Sequence, residues 1–491
     1  MSRLMIRKFT TPMSLVLAAV FALTSLAASA NGARATSLDE FEGRYAYRDG
    51  QSIDMVANGK TLVAIIGEGK YPLLPVGPDL FRNGSGDAIP FLRDGTGKIT
   101  AFKESTQTYA RLSTTVPDST RRLLQPRPYG DDGKPVAYRY QPPPSLGDGI
   151  ATARATTGTL PPAIAEQLVG GVLDGRYPDV HSILVHRGDR LLLEEYFYGY
   201  DRQRRHQMRS LTKSVVALLA GVAVGKGRIR TDEAMLQRLD YASPLNPDPR
   251  KDQITLKQLL SHSSGLACND HDATSPGNEV ALYETPDWIK AFVDLPMVDD
   301  PGHAGRYCSG GILAAGRMVE RAVEQPLPDF AQANLFAPLG IARDAWQWNF
   351  TLDRSQRNAF GQIHLRPRDM LKLGLLIKQR GQWQGQEVIP ATWTDAMIAR
   401  QSHVDDSDYG LGLWHRWYLV ATSTGTRRVD TLMFSGNGGQ KVYVVPSLEL
   451  VAVFTGGAFN QDSPVNTMMA NVLLPALVER DSQESGSDQG P

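Results

Sequence analysis

Between Ser52 and Phe102, short apolar runs alternate with turn residues. Ser52–Val56, Thr61–Ile66, Ala88–Leu92 and Ile99–Phe102 are separated by Asn58-Gly59, Asn83-Gly84 and Asp94-Gly95. Runs of this length, bounded by Gly, Asn and Asp, predict strands, and no helical period intervenes. Residues 38–115 are therefore expected to form a small all-β domain. The segment holds no histidine and no cysteine, and its acidic pair Asp39-Glu40 sits at the edge. Without clustered catalytic side chains, its expected role is binding or packing.

The pattern then breaks. Pro117, Pro126, Pro128, Pro135 and Pro142-Pro143-Pro144 fall within residues 116–150. Proline at that density stiffens a chain into extended structure, so this stretch reads as a linker, or as a strap along the next domain. Beyond it, Ala163–Leu173 has a helical period. Ser182–His186 and Leu191–Phe197 read as two strands joined at Gly188-Asp189. The helix that starts near Ser210 carries Val215, Val216, Leu218, Leu219 and Val222, is apolar on most faces, and is therefore expected to be buried. A second hairpin is expected at Lys441–Pro446 and Leu450–Phe454, with a closing helix over 464–479. Strand pairs at both ends with helices between them predict an antiparallel sheet flanked by helices, an α+β fold over residues 151–480. The polar tail 481–491 is expected to be disordered.

Composition changes this picture in three places. Lys plus Arg and Asp plus Glu each total 52, so the chain lacks the basic excess of a nucleic-acid binder. Arg3, Arg7 and Lys8 precede the apolar run Met13–Leu23, and Ala28-Ser29-Ala30 follows. That order is expected of a secretory signal peptide over residues 1–30, cleaved near Ala30. A retained membrane anchor is the alternative, although the apolar run is short for a span. The expected location is periplasmic or secreted, with no stable membrane anchor after cleavage. Cys268 and Cys308 are the only cysteines. In an oxidising compartment a pair reads as one disulfide, the other reading being two buried thiols.

Candidate chemistry begins at Ser210-Leu211-Thr212-Lys213. On a helix, a three-residue spacing sets both side chains on one face, a turn apart. Backbone N–H groups at the helix start can hold a developing oxyanion, and a desolvated lysine can take the serine's proton. The plain alternative is a serine N-cap beside a snorkelling lysine, because one such spacing is expected by chance in a chain this long. Two further stretches bear on the choice. In PGHAGRYCSGG (301–311), Tyr307 lies in a glycine-rich loop before an apolar helix, where it can serve as a second proton carrier or simply pack. In FSGNGGQKVYVVP (434–446), a glycine-rich strand edge lets a substrate approach the backbone closely, or is a plain hairpin. The acidic stretches Asn269–Asp272 and Asp405–Asp408 lack the spacing of a calcium loop and read as solvated loops. No metal site and no cofactor is expected. His262 reads as a hydrogen-bonded structural histidine.

Ser-x-x-Lys, Tyr-x-Ser and a Gly-rich strand, in that order, resemble the serine hydrolases related to class C β-lactamases and D-alanyl-D-alanine carboxypeptidases. That family includes esterases and 6-aminohexanoate-dimer hydrolases. ITLKQLLSHSSGL (254–266), RPRDMLKLGLLIKQRGQWQGQEVIPATW (366–393) and YGLGLW (409–414) extend the resemblance over about 160–479. It implies a β-lactamase/penicillin-binding-protein-like domain in which Ser210 attacks a carbonyl, Lys213 takes its proton and Tyr307 carries protons to the leaving group. The backbone N–H groups of Ser210 and Asn437 would form the oxyanion hole. Two departures matter. Ser309 stands where the family has asparagine, and Phe434-Ser435-Gly436 stands where its β-lactamases have Lys-Thr-Gly and its esterases Trp-Gly-Gly. Ser309, Phe434, Ser435, Gly436 and Asn437 are thus the expected substrate-binding positions, with Phe434 as an apolar wall. The expectation is an exported ester or amide hydrolase that forms an acyl-enzyme on small substrates, some of them peptidoglycan-related. The alternatives are a true β-lactamase or carboxypeptidase, with Arg306 or Lys441 as carboxylate partner, or a non-catalytic recognition protein.

Overall fold

The computed structural model describes residues 37–47, 51–67, 69–127, 136–241, 243–350, 360–423 and 425–479. The expected signal peptide with its cleavage site and the expected tail lie outside these residues.

Eight strands, from Gly43–Ala46 to Gln107–Ser113, close into an antiparallel barrel, the last pairing with the first. The sequence showed four of them; the others, such as Gly69–Gly77 with its two prolines, lack a clean alternation. Inward-facing aromatics fill much of the barrel. Phe41 meets Phe81 and Phe91 edge-on, each at 4.9 Å between ring centroids. On the outside, Val56, Val63 and Ile65 pack with Val180 and Tyr198 of the second domain, and Lys70 forms an ion pair with Asp179.

The proline-rich stretch is not uniformly extended. Asp118–Arg122 makes a short helix, in which Thr120 donates a hydrogen bond to Asp54 of the barrel. Residues 136–150 lie along the second domain as a strap. Tyr140 donates to the Leu192 carbonyl at 2.8 Å, and Arg368 binds the Pro144 carbonyl while pairing with the buried Glu194 at 2.7 Å.

The second domain is built on an eight-stranded sheet of antiparallel pairs. Its strands run, across the sheet, Arg190–Tyr196, Val180–Arg187, Leu450–Gly456, Gln440–Val445, Gly425–Gly436, Trp414–Thr422, Ser407–Tyr409 and Ser402–Val404. Thus the two hairpins expected at the two ends of the domain's sequence lie side by side toward one edge of the sheet, where Leu450–Gly456 pairs with Val180–Arg187. The period-two pattern serves both faces. Val442, Val444, Val451 and Val453 pack under the helices Leu211–Gly225, Ser309–Val323 and Pro367–Lys378. Tyr443, Val445, Ala452 and Phe454 pack under Pro162–Leu173 and the helical segment from Val465. The helix Leu211–Gly225 is buried almost throughout, as its all-round apolar surface requires.

Candidate active site

Ser210 does not cap its helix. It has helical backbone angles and makes no capping hydrogen bond. Its Oγ instead accepts a 2.9 Å hydrogen bond from Lys213 Nζ. One turn of a buried helix therefore brings the hydroxyl and the amine together with their backbone fixed. Arg209, just before the serine, has φ of +51°. A non-glycine residue in that region carries strain of order 1 kcal/mol or more, a condition that clusters at functional sites. Gly436 of the neighbouring strand is required here. A Cβ on it would sit 2.1 Å from the Met208 carbonyl oxygen, so only glycine lets the strand reach the segment that carries Ser210.

Lys213 is 6% exposed, and its Nζ lies 4.7 Å from the centre of the Tyr307 ring. Burial alone would hold this amine neutral, as the sequence suggested. The Tyr307 oxygen and the carboxylates of Asp270 and Glu279 outweigh burial and raise its pKa. The resting lysine is therefore an ammonium that donates to Ser210. Tyr307 is held on three sides. His271 stacks on it at 4.9 Å, His262 lies at 4.6 Å and Trp414 at 5.3 Å between ring centroids. His262 accepts the Cys308 N–H through Nδ1 at 3.2 Å. Burial, then the nearby Lys213 charge, keep its pKa well below the usual histidine value, so it is a neutral support behind Tyr307.

These groups face a cleft of about 410 Å³ lined by Ser210, Asp270, Glu279, Tyr307, Ser435, Asn437 and Lys441, among others. A larger hollow of about 590 Å³ between Leu236 and Asp252 includes none of these groups. Ser309 is 5% exposed, starts its helix beside the Ser210–Lys213 pair and shares a small cavity with it. Asn437 follows the strand end and is tied to Asn460, whose N–H it accepts at 2.9 Å.

Two sequence expectations are corrected. Phe434 does not wall the cleft. Strand alternation turns it away from the side that Ser435 faces, and it is fully buried in the core with Leu211 and Val215. The stretch Asn269–Asp272 is not simply a solvated loop. Asp270 is half-buried, lines the cleft and accepts two hydrogen bonds from Ser309. Glu279, which caught no attention in the sequence, lines the cleft as well, and no spacing rule marks it. Cys268 and Cys308 form a disulfide with Cα atoms 5.5 Å apart, which ties the Asp270 loop to the Tyr307 loop. Arg306 pairs with Asp299 and is not among the residues lining the cleft, whereas Lys441 bonds to Ser435 and is among them. Asp408, in the other acidic stretch, makes surface ion pairs with Arg400 and His403. Among the described residues no group of three His, Cys, Asp or Glu side chains is placed to hold a metal ion, and no helix is long and apolar enough to cross a membrane.

Compared with known proteins, residues 165–472 match the family model described as Beta-lactamase. The chain is 24% identical over 360 residues to a 6-aminohexanoate-dimer hydrolase of Paenarthrobacter ureafaciens, covering 65% of this chain and 88% of that one. It is 27% identical over 144 residues to the esterase EstB of Burkholderia gladioli, covering 28% of this chain and 36% of the esterase, about a third of its length. Among solved structures, a family VIII carboxylesterase aligns over 67% of this chain and 99% of its own, with a TM-score of 0.51 and 15% identity. At that identity the likeness is one of fold alone.

Proposed function

The chain belongs to the beta-lactamase family of serine hydrolases, and from that premise we propose that it hydrolyses small esters or amides through an acyl-enzyme on Ser210. The observation that carries this reading is the 2.9 Å hydrogen bond from Lys213 Nζ to Ser210 Oγ, at a helix start that opens on the cleft. Serine needs a base to become a nucleophile. Tyr307 and the neighbouring carboxylates hold Lys213 charged at rest against its burial, so it acts as the base once it has given that proton to solvent. The free amine takes the Ser210 proton as the hydroxyl attacks, and Tyr307 gives its phenolic proton to the leaving group and regains one from the Lys213 ammonium. The N–H groups of Ser210 and Asn437 stabilise the oxyanion, with Gly436 letting the carbonyl come close. The disulfide and the N-terminal charge-and-apolar pattern support export to an oxidising compartment. The 24% identity to a 6-aminohexanoate-dimer hydrolase and the 27% identity to an esterase support hydrolysis of small substrates, esters among them.

The test is a panel of a nitrophenyl ester, a linear amide and nitrocefin, run on wild type and Ser210→Ala, with fluorophosphonate labelling of both proteins. Loss of turnover and of label in the variant is expected. Turnover near the wild-type rate in Ser210→Ala would end this reading, and an unlabelled, inactive wild type would favour a recognition protein instead.

A second reading, β-lactamase or carboxypeptidase, has one observation in its favour. Lys441, on the strand next to Ser435 and directly opposite it in register, bonds to the Ser435 hydroxyl. An ammonium at that place can bind a substrate carboxylate even though Phe434 stands where the family's lysine would be.

A further inference from the structure

The barrel's interior is only partly filled. The Phe41, Phe81 and Phe91 cluster occupies part of it. A cavity of about 730 Å³ remains, walled by Ile53, Met55, Leu73, Ile89 and Phe102 and closed off by Phe459 of the second domain. Eight-stranded barrels have room for one small ligand when side chains do not fill them, and this volume lies in the usual range for ligand sites. Buried apolar side chains around an unfilled space forgo contacts that a packed core would make.

What enters this space is indicated by its position. Asn460 lines both the barrel cavity and the cleft that holds Ser210. The Phe459 ring lies 4.9 Å under the guanidinium of Arg209, the residue before the nucleophile. A third hollow of about 290 Å³ touches Tyr71 of the barrel, Phe459 and Arg209, and so runs between the two. Tyr71 stands at this junction 40% exposed, and Leu74 of the same strand is 54% exposed. The route from the reacting serine is mixed in character, since Arg209 and His364 line the connecting hollow and Arg82 and Glu104 also line the barrel cavity, but the space they open on is walled by the apolar Ile53, Met55, Leu73, Ile89 and Phe102.

We propose that the barrel cavity is a subsite for the unbranched apolar chain of an ester or amide substrate held in the cleft. The chain runs from Ser210 past Arg209 and Phe459 into the barrel. This rests on the hydrolase reading above. The barrel thereby sets chain-length preference. Each methylene that leaves water on the way in raises kcat/KM about fourfold, up to the length at which the cavity is full.

The experiment has two arms, both on the full chain. In the first, N-phenyl-1-naphthylamine, a neutral apolar fluorophore, is titrated into Ser210→Ala protein. Saturable binding with one site per chain is expected, weakened at least tenfold by adding Tyr71→Asp. The arm needs no catalysis, so it stands even if the nucleophile is misassigned. In the second, nitrophenyl esters from acetate to dodecanoate are compared for wild type, Tyr71→Asp and Ala64→Phe. Tyr71 is 40% exposed, so its substitution spares the buried core, whereas Ala64 is 7% exposed and lines the cavity, which Ala64→Phe would fill. Measured against each variant's own acetate rate, both should lose at least tenfold on the decanoate ester. The proposal is overturned if the fluorophore does not bind Ser210→Ala protein, or if the length profile of folded Tyr71→Asp matches wild type.

Discussion

Asp270 Oδ2 accepts both the backbone N–H of Ser309, at 2.8 Å, and its hydroxyl, at 2.7 Å. The serine at the family's asparagine position is thus fixed by a carboxylate from a different loop, and its hydroxyl proton is committed. The same carboxylate helps keep Lys213 charged. Burial pushes Asp270's own pKa up, with the Lys213 charge and the Ser309 hydrogen bonds opposing. One residue thereby couples the substrate-side serine to the base.

Replacing Asp270 with asparagine should therefore change when the base is available. The carboxylate raises the Lys213 pKa, so removing it lets the amine lose its proton at lower pH. The acid limb of the kcat/KM profile for a nitrophenyl ester should move to lower pH in Asp270→Asn. A profile that falls in height with its midpoint unmoved would show that Asp270 only positions Ser309.

Reduction of the Cys268–Cys308 disulfide should destabilise the protein and impair catalysis separately. The bridge spans 40 positions, which corresponds to about 4 kcal/mol on the chain-entropy account. Cys308 adjoins Tyr307, and its N–H is held by His262. Mild reductant should thus lower turnover at temperatures where circular dichroism still shows a native fold. Activity that tracks unfolding alone would remove the link to Tyr307.

The fold was readable where one physical rule governs a long stretch. An all-round apolar helix such as Leu211–Gly225 has to be buried, and the short apolar runs 182–186 and 450–454, each set in a hairpin pattern, read as strands. Barrel closure was not readable, because strands such as Leu80–Arg82 are too short to show a period and closure is a property of pairing. In the site, Ser210 and Lys213 showed because helix spacing alone joins them. Asp270 and Glu279 did not, since their approach depends on a disulfide and on loops whose path no local pattern encodes. Phe434 was misread because an alignment gives residue order along a strand, whereas the face is set by the strand's register.

Glu195 offers a test of the strap. Burial, with the nearby Glu194, raises its pKa to about 7, against an opposing hydrogen bond from Tyr138 at 3.0 Å. With the folded pKa above the unfolded value of 4.5, the folded state binds the proton more tightly. Glu195 therefore costs nothing below pH 4.5 and costs its full amount above pH 7, at most about 3 kcal/mol. Glu195→Gln should raise the melting temperature at pH 8, with the gain shrinking as pH falls toward 4.5. A gain that is constant with pH would mean that Glu195 is not protonated on folding.

Lys441 decides between the two hydrolase readings. Burial, helped by the Arg416 charge, lowers its pKa to about 8. Its ammonium is thus present at neutral pH and lost as pH rises through 8. A substrate carboxylate bound there gains one charged hydrogen bond, about 1.5–3 kcal/mol, or roughly ten- to 150-fold in kcat/KM. The family's Lys-Thr pair would supply more, and Asp270 and Glu279 across the cleft repel a carboxylate. A neutral ester needs neither group. Nitrophenyl butyrate should therefore be the better substrate, with a nitrocefin to butyrate ratio of kcat/KM below one. Whatever nitrocefin turnover exists should fall as pH rises through 8, and fall at least tenfold in Lys441→Ala, while butyrate turnover changes less than threefold. A ratio above one that disappears in Lys441→Ala would make the carboxylate site the principal one and the protein a β-lactamase or peptidase. Equal losses on both substrates would instead mean that Lys441 acts through Ser435 on the shape of the strand edge.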